Sequence, residues 1–512
     1  MKIAELAAML FYCVILLCIG IFFFWRERKN EGSEKEYFLG GRGMNGWVSA
    51  LSAGASDMSA WILMGLPGSI YLFGVGQVWI AIGLLIGTVS AWLFIAPRLR
   101  RYSIVANDAI TIPQFLTNRF RTGKKGILII SALVFMVTYC IYAAASLYAC
   151  GTLFNTVLGM DAKTAMILAT IVIVIYTFLG GYQAVCWTDF FQGLLMLGAL
   201  LFVPIMVLIM MNAADFTAPE TVVSENYWSW FSTGKSDWKS WSDIISGLGW
   251  GLGYAGMPHI LIRYFSVSSE NEMKKSRIIG CIWFFFILLA ASAVGLIGRQ
   301  FIGDALVASK DGNTLIFITM VRNVFDWIAG NVGGVIIWTF CAGFLLSAIL
   351  AAAMSTADSQ LLASSSAFAS DLYKPLLRKN ASDKEMMLAG RAIVIIISVA
   401  AFIIAARPEC KGLMNLVSCA WGAFGAAFGP VIILSLYWKR FNYAGALSGI
   451  IVGFAVDILW YIFLPQTGIY EIVPGFAAGM IVSVIVSLLT AKPGEQVIAD
   501  FKRSTLLIES EE

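Results

Sequence analysis

The chain has 512 residues, of which 59% are hydrophobic and only 13% are charged. A soluble protein of this length would need far more polar surface, and a net charge of +4 spread over short loops argues against a nucleic-acid partner. Nine cysteines occur without a CxxC pair or metal-ligand spacing, so we expect small core side chains rather than a metal site. The composition indicates an all-α protein embedded in the lipid bilayer of the inner (plasma) membrane.

Apolar segments long enough to cross a bilayer follow one another along most of the chain. A transmembrane helix needs about 20 such residues. The run 313–330 is amphipathic and carries Arg322 and Asp326, so we expect it to lie on the surface. The sequence predicts thirteen transmembrane helices, at 3–25, 46–72, 76–97, 127–157, 162–186, 190–211, 243–262, 278–298, 333–369, 388–406, 413–438, 443–464 and 473–491.

The distribution of basic residues predicts the orientation. If the N-terminus lies outside, 26 of the 35 Lys and Arg residues fall in segments on the inner side. Cytoplasmic loops of membrane proteins carry such an excess of Lys and Arg. We therefore expect the N-terminus outside and the C-terminal tail in the cytoplasm.

Two of the predicted spans contain residues that interrupt a helix. The second carries Ser52–Ser59 followed by Gly65-Leu-Pro-Gly68, and the seventh carries five glycines and a proline between Gly247 and Pro258. The two interrupted spans lie five helices apart. Because five is odd, the group of five helices that begins with the seventh span has the opposite orientation to the group that begins with the second, as in transporters with inverted repeats and a site at broken helices. The predicted division is an extra helix and cytoplasmic loop (1–45), a first repeat (46–211), an outer loop (212–242), a second repeat (243–438), two further helices (439–491) and a cytoplasmic tail (492–512).

Asp57 and a pair of hydroxyls are the first candidate site residues. A carboxylate at mid-membrane depth costs at least about 2.5–3.5 kcal/mol, which favours a function for Asp57, although it could instead cap a helix fragment. Ala352, Ser355 and Thr356 share one helix face, where oxygen atoms could bind a hard cation. The alternative is that both hydroxyls bond their own helix backbone.

Aromatic and other polar residues give weaker signals. Trp250, Tyr254 and Pro258 recur at i, i+4 and i+8 on the glycine-rich helix, which suits either a solute-binding face or a packing stripe. We expect His259 to lie at the membrane interface and Asp189 at a cytoplasmic turn. We expect Asp457 to have a structural role. The sequence shows neither a nucleophile–base or metal cluster nor the phosphate-binding motif of ATP-driven transport.

At these residues the sequence resembles the sodium/solute symporter family, and the resemblance covers nearly the whole chain. The motifs that carry it are Leu51–Trp61, Gly249–Tyr254, Leu346–Ala352 with Met354–Thr356, and Trp421–Pro430. The resemblance implies sodium binding by the backbone carbonyls of Ala55, Met58 and Ala352 and the hydroxyls of Ser355 and Thr356, with Asp57 needed for binding or coupling. It also implies a proline site formed by Tyr142, Trp250, Tyr254 and Pro258, with Ser59 close by. Proline-transporting members carry glycine where this chain has Ala60, which adds a methyl group beside the site.

The resemblance therefore implies sodium-coupled uptake of L-proline by alternating access. The chain is expected not to be an enzyme and to need no cofactor beyond Na⁺ as coupling ion. The alternatives are a sodium- or proton-coupled symporter of another small solute, with Asp57 as proton carrier, or a membrane sensor that binds solute without moving it. The 21 residues from Lys492 onward are too few for the output domain that a sensor would need.

Overall fold

The protein is a bundle of helices. Its computed structural model describes residues 2–28, 34–213, 216–217, 219, 221, 223–308, 312–407, 409–410 and 412–506. Parts of the predicted outer loop 212–242 and the last six residues of the predicted tail 492–512 lie outside the described residues. Residues 29–33, between the first and second predicted spans, also lie outside the described residues.

Nine α-helices precede the predicted outer loop among the residues that the structure describes. They are α1 Lys2–Arg28, α2 Glu34–Leu39, α3 Gly46–Asp57, α4 Gly65–Phe73, α5 Val78–Ser90, α6 Ala96–Val105, α7 Ile112–Phe120, α8 Gly126–Leu158 and α9 Ala162–Met211.

Ten helices follow that loop within the described part of the chain. They are α10 Trp238–Gly249, α11 Pro258–Ser266, α12 Glu270–Ile302, α13 Ile316–Val332, α14 Val335–Ser366, α15 Asp383–Ala405, α16 Leu413–Tyr437, α17 Tyr443–Phe463, α18 Ile472–Leu489 and α19 Glu495–Leu506.

Eleven helices among the described residues are long and apolar enough to cross a membrane. Ten of them coincide with predicted spans, and the eleventh covers 312–332, the run expected at the surface. That run forms α13, which buries one face. Its placement at the surface stays a prediction. The other three predicted spans correspond to the two interrupted helices and to the first part of α9.

The outer surface of the bundle carries many large apolar side chains. Ile282 and Leu289 of α12 are each 54% exposed, and Ile396 of α15 is 58% exposed. A water-soluble protein would bury such residues, whereas lipid tails solvate them without cost. The surface therefore agrees with a bundle that is surrounded by a bilayer.

The first interrupted helix breaks directly after Asp57. Met58 (φ −76°, ψ 71°) and Ser59 (φ −67°, ψ −173°) leave helical geometry, and the Ser59 N–H donates to the Asp57 carbonyl at 2.8 Å. A 3₁₀ turn at Ala60–Ile62 then leads into α4. The break frees backbone groups at the centre of the bundle, where every residue from Val48 to Asp57 is buried.

The second interrupted helix begins as α10, continues as a 3₁₀ segment at Trp250–Ala255 and restarts as α11. Pro258 opens α11 because it lacks an N–H and favours an extended residue before it. The glycines allow close packing of neighbouring helices. A β-carbon at Gly253 would collide with the indole of Trp421 on α16, and one at Gly251 would collide with the backbone of α5.

The boundary between the fifth and sixth predicted spans lies elsewhere than expected. The chain leaves helical geometry at Gly181 (φ 55°, ψ −165°), a conformation that suits glycine. Asp189 lies within the following helical segment and is completely buried. The predicted cytoplasmic turn at Asp189 is therefore wrong. The run Trp187-Thr188-Asp189 suggested a turn because it contains a charged residue with no oppositely charged residue nearby in the sequence. The compensating charge comes from a distant part of the chain.

Candidate functional site

A cluster of oxygen atoms lies where the break after α3 meets the middle of α14. The Ser355 hydroxyl lies 2.8 Å from the carbonyl oxygen of Ala55 and 3.2 Å from that of Ala352. The hydroxyl of Thr356 is buried and has no hydrogen-bond partner among the described residues. Met58 lies at the same break and is also fully buried. The structure thus brings Ala55, Ala352 and Ser355 together, from two different helices.

The carboxyl group of Asp57 joins the two interrupted helices. The Tyr254 hydroxyl, from the 3₁₀ segment after α10, donates to Asp57 Oδ2 at 2.6 Å. The other oxygen, Oδ1, is buried and has no partner among the described residues. If Asp57 capped its own helix fragment, its carboxylate would accept hydrogen bonds from nearby backbone N–H groups. The observed contact instead spans 197 residues of sequence.

Of the predicted solute residues, Tyr254 contacts this carboxyl group directly. Trp250 and Tyr254 pack with their rings against Trp421, with centroids 6.4 and 5.1 Å apart. Ser59 and Tyr142 both present buried hydroxyls without a hydrogen-bond partner in the described part of the chain. Trp250 is 6% exposed and the others, including Pro258, are buried. These residues offer aromatic faces together with buried polar atoms that have no partner among the described residues.

An ion pair that the sequence did not reveal lies nearer the α2 end of the bundle. Arg263 of α11 donates to Asp189 Oδ2 at 3.1 Å and to Ser52 at 3.2 Å. It also donates to Ser359 of α14, so four helices meet at one guanidinium. Arg263 and Asp189 are 2% and 0% exposed. No local sequence signal could have found this pair, because its members are 74 residues apart.

His259 is another buried polar residue of α11. It is fully buried in the first turn of α11, and its Nδ1 lies 3.4 Å from the Tyr139 hydroxyl. The side chain is enclosed by protein, and its position at the membrane interface stays a prediction. The neighbouring arginine suggested an interface, but that arginine is itself neutralised inside the bundle.

The chemistry of this arrangement is that of binding. Carbonyl and hydroxyl oxygens are the ligands that hard cations prefer. Carbonyl oxygens carry no formal charge, so they suit a monovalent ion. Aromatic faces next to a carboxyl group suit a small solute with both apolar and cationic parts.

A profile of the sodium:solute symporter family matches residues 37–453, which include both interrupted helices and α14. The chain belongs to the sodium:solute symporter family. Its members are transporters rather than enzymes, and Na⁺ is their coupling ion. The expectation from the sequence motifs is thereby confirmed at the level of family.

Relatives of known function extend over nearly the full length. The chain is 40% identical over 497 residues to the osmoregulated proline transporter OpuE of Bacillus subtilis, covering 97% of this chain and 96% of the relative. It is 41% identical over 487 residues to the high-affinity proline transporter PutP of the same organism, covering 95% and 98%.

A solved structure supports the architecture. The substrate-bound outward-open state of a Na⁺-coupled sialic acid symporter matches with a TM-score of 0.74 at 21% identity, covering 96% of this chain and 99% of that one. The fold is the all-helical transporter fold in which two inverted groups of five helices each begin with a broken helix. The exact bounds of the two repeats, 46–211 and 243–438, stay a prediction.

Proposed function

We propose that this symporter takes up L-proline together with Na⁺ by alternating access. The observation that carries the proposal is the convergence of oxygen atoms from α3 and α14 at the break in α3 that follows Asp57, whose carboxyl group joins the two broken helices. The full-length similarity to two proline transporters supports proline as the solute.

In this proposal Na⁺ binds between α3 and α14. Its ligands are the carbonyls of Ala55, Met58 and Ala352 and the hydroxyls of Ser355 and Thr356. The Thr356 hydroxyl has no other described partner, which is the state expected of a side chain kept for a ligand. Asp57 lies between Ala55 and Met58 in the chain, and its ionised form would add a negative charge to the region.

Proline occupies the space beside Asp57 in this proposal. The aromatic side chains of Trp250 and Tyr254 pack against its ring, while Pro258 and Tyr142 complete the lining and Ser59 lies next to the break. The proposed sodium and proline sites share the residues around Met58 and Asp57. Sodium binding would order the first break, and by linkage each ligand would then raise the affinity for the other by the same factor.

The proposed orientation has the N-terminus outside and the tail in the cytoplasm. It rests on the excess of Lys and Arg in the segments on the tail side. The driving force is sufficient for uptake. One charge moving across 100 mV supplies about 2.3 kcal/mol, and a tenfold sodium gradient adds about 1.4 kcal/mol. The total sustains a several-hundredfold proline gradient at one-to-one coupling.

Thr356→Val tests the sodium site because it keeps the shape of the side chain and removes its oxygen. We expect the sodium concentration for half-maximal proline uptake to rise, and proline affinity to recover at high sodium. Thr339→Val is a matched control on the same helix, because the Thr339 hydroxyl bonds its own backbone at Val335. Asp57→Asn keeps size and polarity, and we expect it to raise the sodium requirement as well.

The outcomes separate three roles for these residues. An unchanged sodium half-saturation in both Thr356→Val and Asp57→Asn would contradict the site. Poor expression with unchanged sodium dependence in the surviving protein would indicate packing. Uptake driven by a pH gradient without sodium would identify a proton-coupled transporter with Asp57 as carrier. Measuring uptake against sodium at two pH values distinguishes these cases.

A further inference from the structure

A second buried carboxyl group lies outside the proposed sodium and proline sites. Asp457 belongs to α17, which follows the predicted repeats, and it is 1% exposed. Neither of its carboxyl oxygens has a hydrogen-bond partner among the described residues. An unsatisfied carboxyl group in a membrane helix is costly and is expected to have a function.

Two neighbouring helices leave room for this side chain. A β-carbon at Gly422 of α16 would lie 2.8 Å from Asp457 Oδ1, and one at Gly475 of α18 would lie 2.9 Å from Asp457 Cβ. The first of these points is also 3.4 Å from Cγ of Glu471, the residue directly before α18. An oxygen of Asp457 and the side chain of Glu471 therefore lie around the same point beside Gly422.

No basic side chain of the described residues forms an ion pair with either carboxyl group. Tyr470, before α18, is the other titratable group that faces the pair, and Cys419 of α16 and Tyr142 of α8 in turn lie near Tyr470. The Tyr470 hydroxyl donates to the carbonyl of Ser418 at 2.7 Å. The start of α18 favours a negative charge on Glu471 through the helix dipole. A negatively charged Glu471 leaves the nearby Asp457 with a like charge and no compensation.

Glu471 connects the pair to one side of the membrane. It is 9% exposed and lines a crevice of about 330 Å³ together with Trp250, Asn415, Ser418 and Tyr470. The crevice lies at the end of α18 away from α19, which is the outer side in the proposed orientation. Asn415 and Ser418 place further polar atoms along the crevice.

We propose that Asp457 and Glu471 form a second cation site, separate from the oxygen cluster between α3 and α14. The site takes a small monovalent cation, Na⁺ or a proton, from the outer crevice. Two carboxylates this close in a medium of low dielectric cannot both stay charged without a cation, and carboxylate oxygens bind hard cations. The Tyr470 ring lies 5.0 Å from that of Trp250. The Tyr470 ring therefore lies between the two carboxyl groups and the proposed proline site.

Binding of ²²Na⁺ to the purified full-length protein at pH 8 tests the sodium form of the site. We expect Asp457→Asn to remove one bound Na⁺ per protein, and Thr356→Val to weaken a different one. The two sites are then distinguishable, and the result for Asp457 does not depend on whether the solute is proline. Asp326→Asn is the control, because Asp326 lies exposed on α13.

The proton form is read from unfolding temperatures without sodium between pH 5.5 and 8.5. Raising the pH ionises both groups, so the unfolding temperature of the unmodified protein should fall. Asp457→Asn and Glu471→Gln should each flatten this dependence while Asp326→Asn does not. If Asp457→Asn fails to fold, Glu471→Gln at the crevice gives the same measurement.

Gly422→Ala supplies a variant that changes no charge. Its methyl group occupies the space between the two carboxyl groups and should reduce cation binding in whichever form the site takes. Wild-type numbers of bound Na⁺ together with wild-type pH dependence in Asp457→Asn and Glu471→Gln would overturn the proposal. The pair would then be permanently neutral.

Discussion

Tyr254→Phe removes a single hydrogen bond between the two broken helices. The hydroxyl donates to Asp57 Oδ2 at 2.6 Å, whereas the ring packs against Trp421 and Phe284 at 5.1 and 5.8 Å. Phenylalanine keeps both ring contacts and leaves each Asp57 oxygen without a described protein partner. A hydrogen bond to a charged group contributes about 1.5–3 kcal/mol. We therefore expect proline affinity at limiting sodium to fall about 10- to 150-fold.

The assay is binding of labelled proline to purified protein at several sodium concentrations. Tyr437→Phe is the control, because it loses a 2.7 Å hydrogen bond to the backbone of Phe94, far from both breaks. Higher sodium should restore part of the affinity in Tyr254→Phe, since sodium binding orders the same break. Wild-type proline affinity at every sodium concentration would refute the reasoning that this bond joins the two sites.

Three further predictions concern other parts of the account. Trp250→Ala should weaken proline binding in saturating sodium by about 1–3 kcal/mol, as for loss of a buried aromatic contact, and normal binding would place the pocket elsewhere. Arg263→Gln should destabilise the protein by about 3–5 kcal/mol, because it leaves Asp189 buried without its partner; unfolding temperatures measure this, and an unchanged value would contradict it. Reporter fusions after Arg101 and Lys492 should both report the cytoplasm, and an outside signal at either would reverse the proposed orientation.

The sequence was sufficient to predict both interrupted helices. Glycine and proline act locally, so their effect on the segment before α11 is visible without knowledge of the packing. The break after Asp57 falls instead at Met58 and Ser59, whereas the Gly65-Leu-Pro-Gly68 run lies within α4. The spacing of Ala352 and Ser355 on one helix face was equally readable, although their meeting with Ala55 required the fold.

Long-range compensation explains what the sequence could not reveal. Asp189 and Arg263 each suggest a polar boundary when considered alone, but together they form a buried pair between α9 and α11. The sequence did not indicate that Asp457 and Glu471 are neighbours, because they come together only when the chain folds and the loop between α17 and α18 reverses its direction. The contact of Tyr254 with Asp57 was hidden for the same reason. Local patterns thus located the elements, while the partners of charged residues depended on packing.

Labelled proline uptake into proteoliposomes tests the central claim most directly. The same vesicles are given an inward sodium gradient, equal sodium on both sides, or a pH gradient without sodium. We predict accumulation above the outside concentration only with the sodium gradient, and its loss when a sodium ionophore is added. Accumulation driven by the pH gradient alone, or no accumulation under a sodium gradient, would contradict sodium-coupled proline symport.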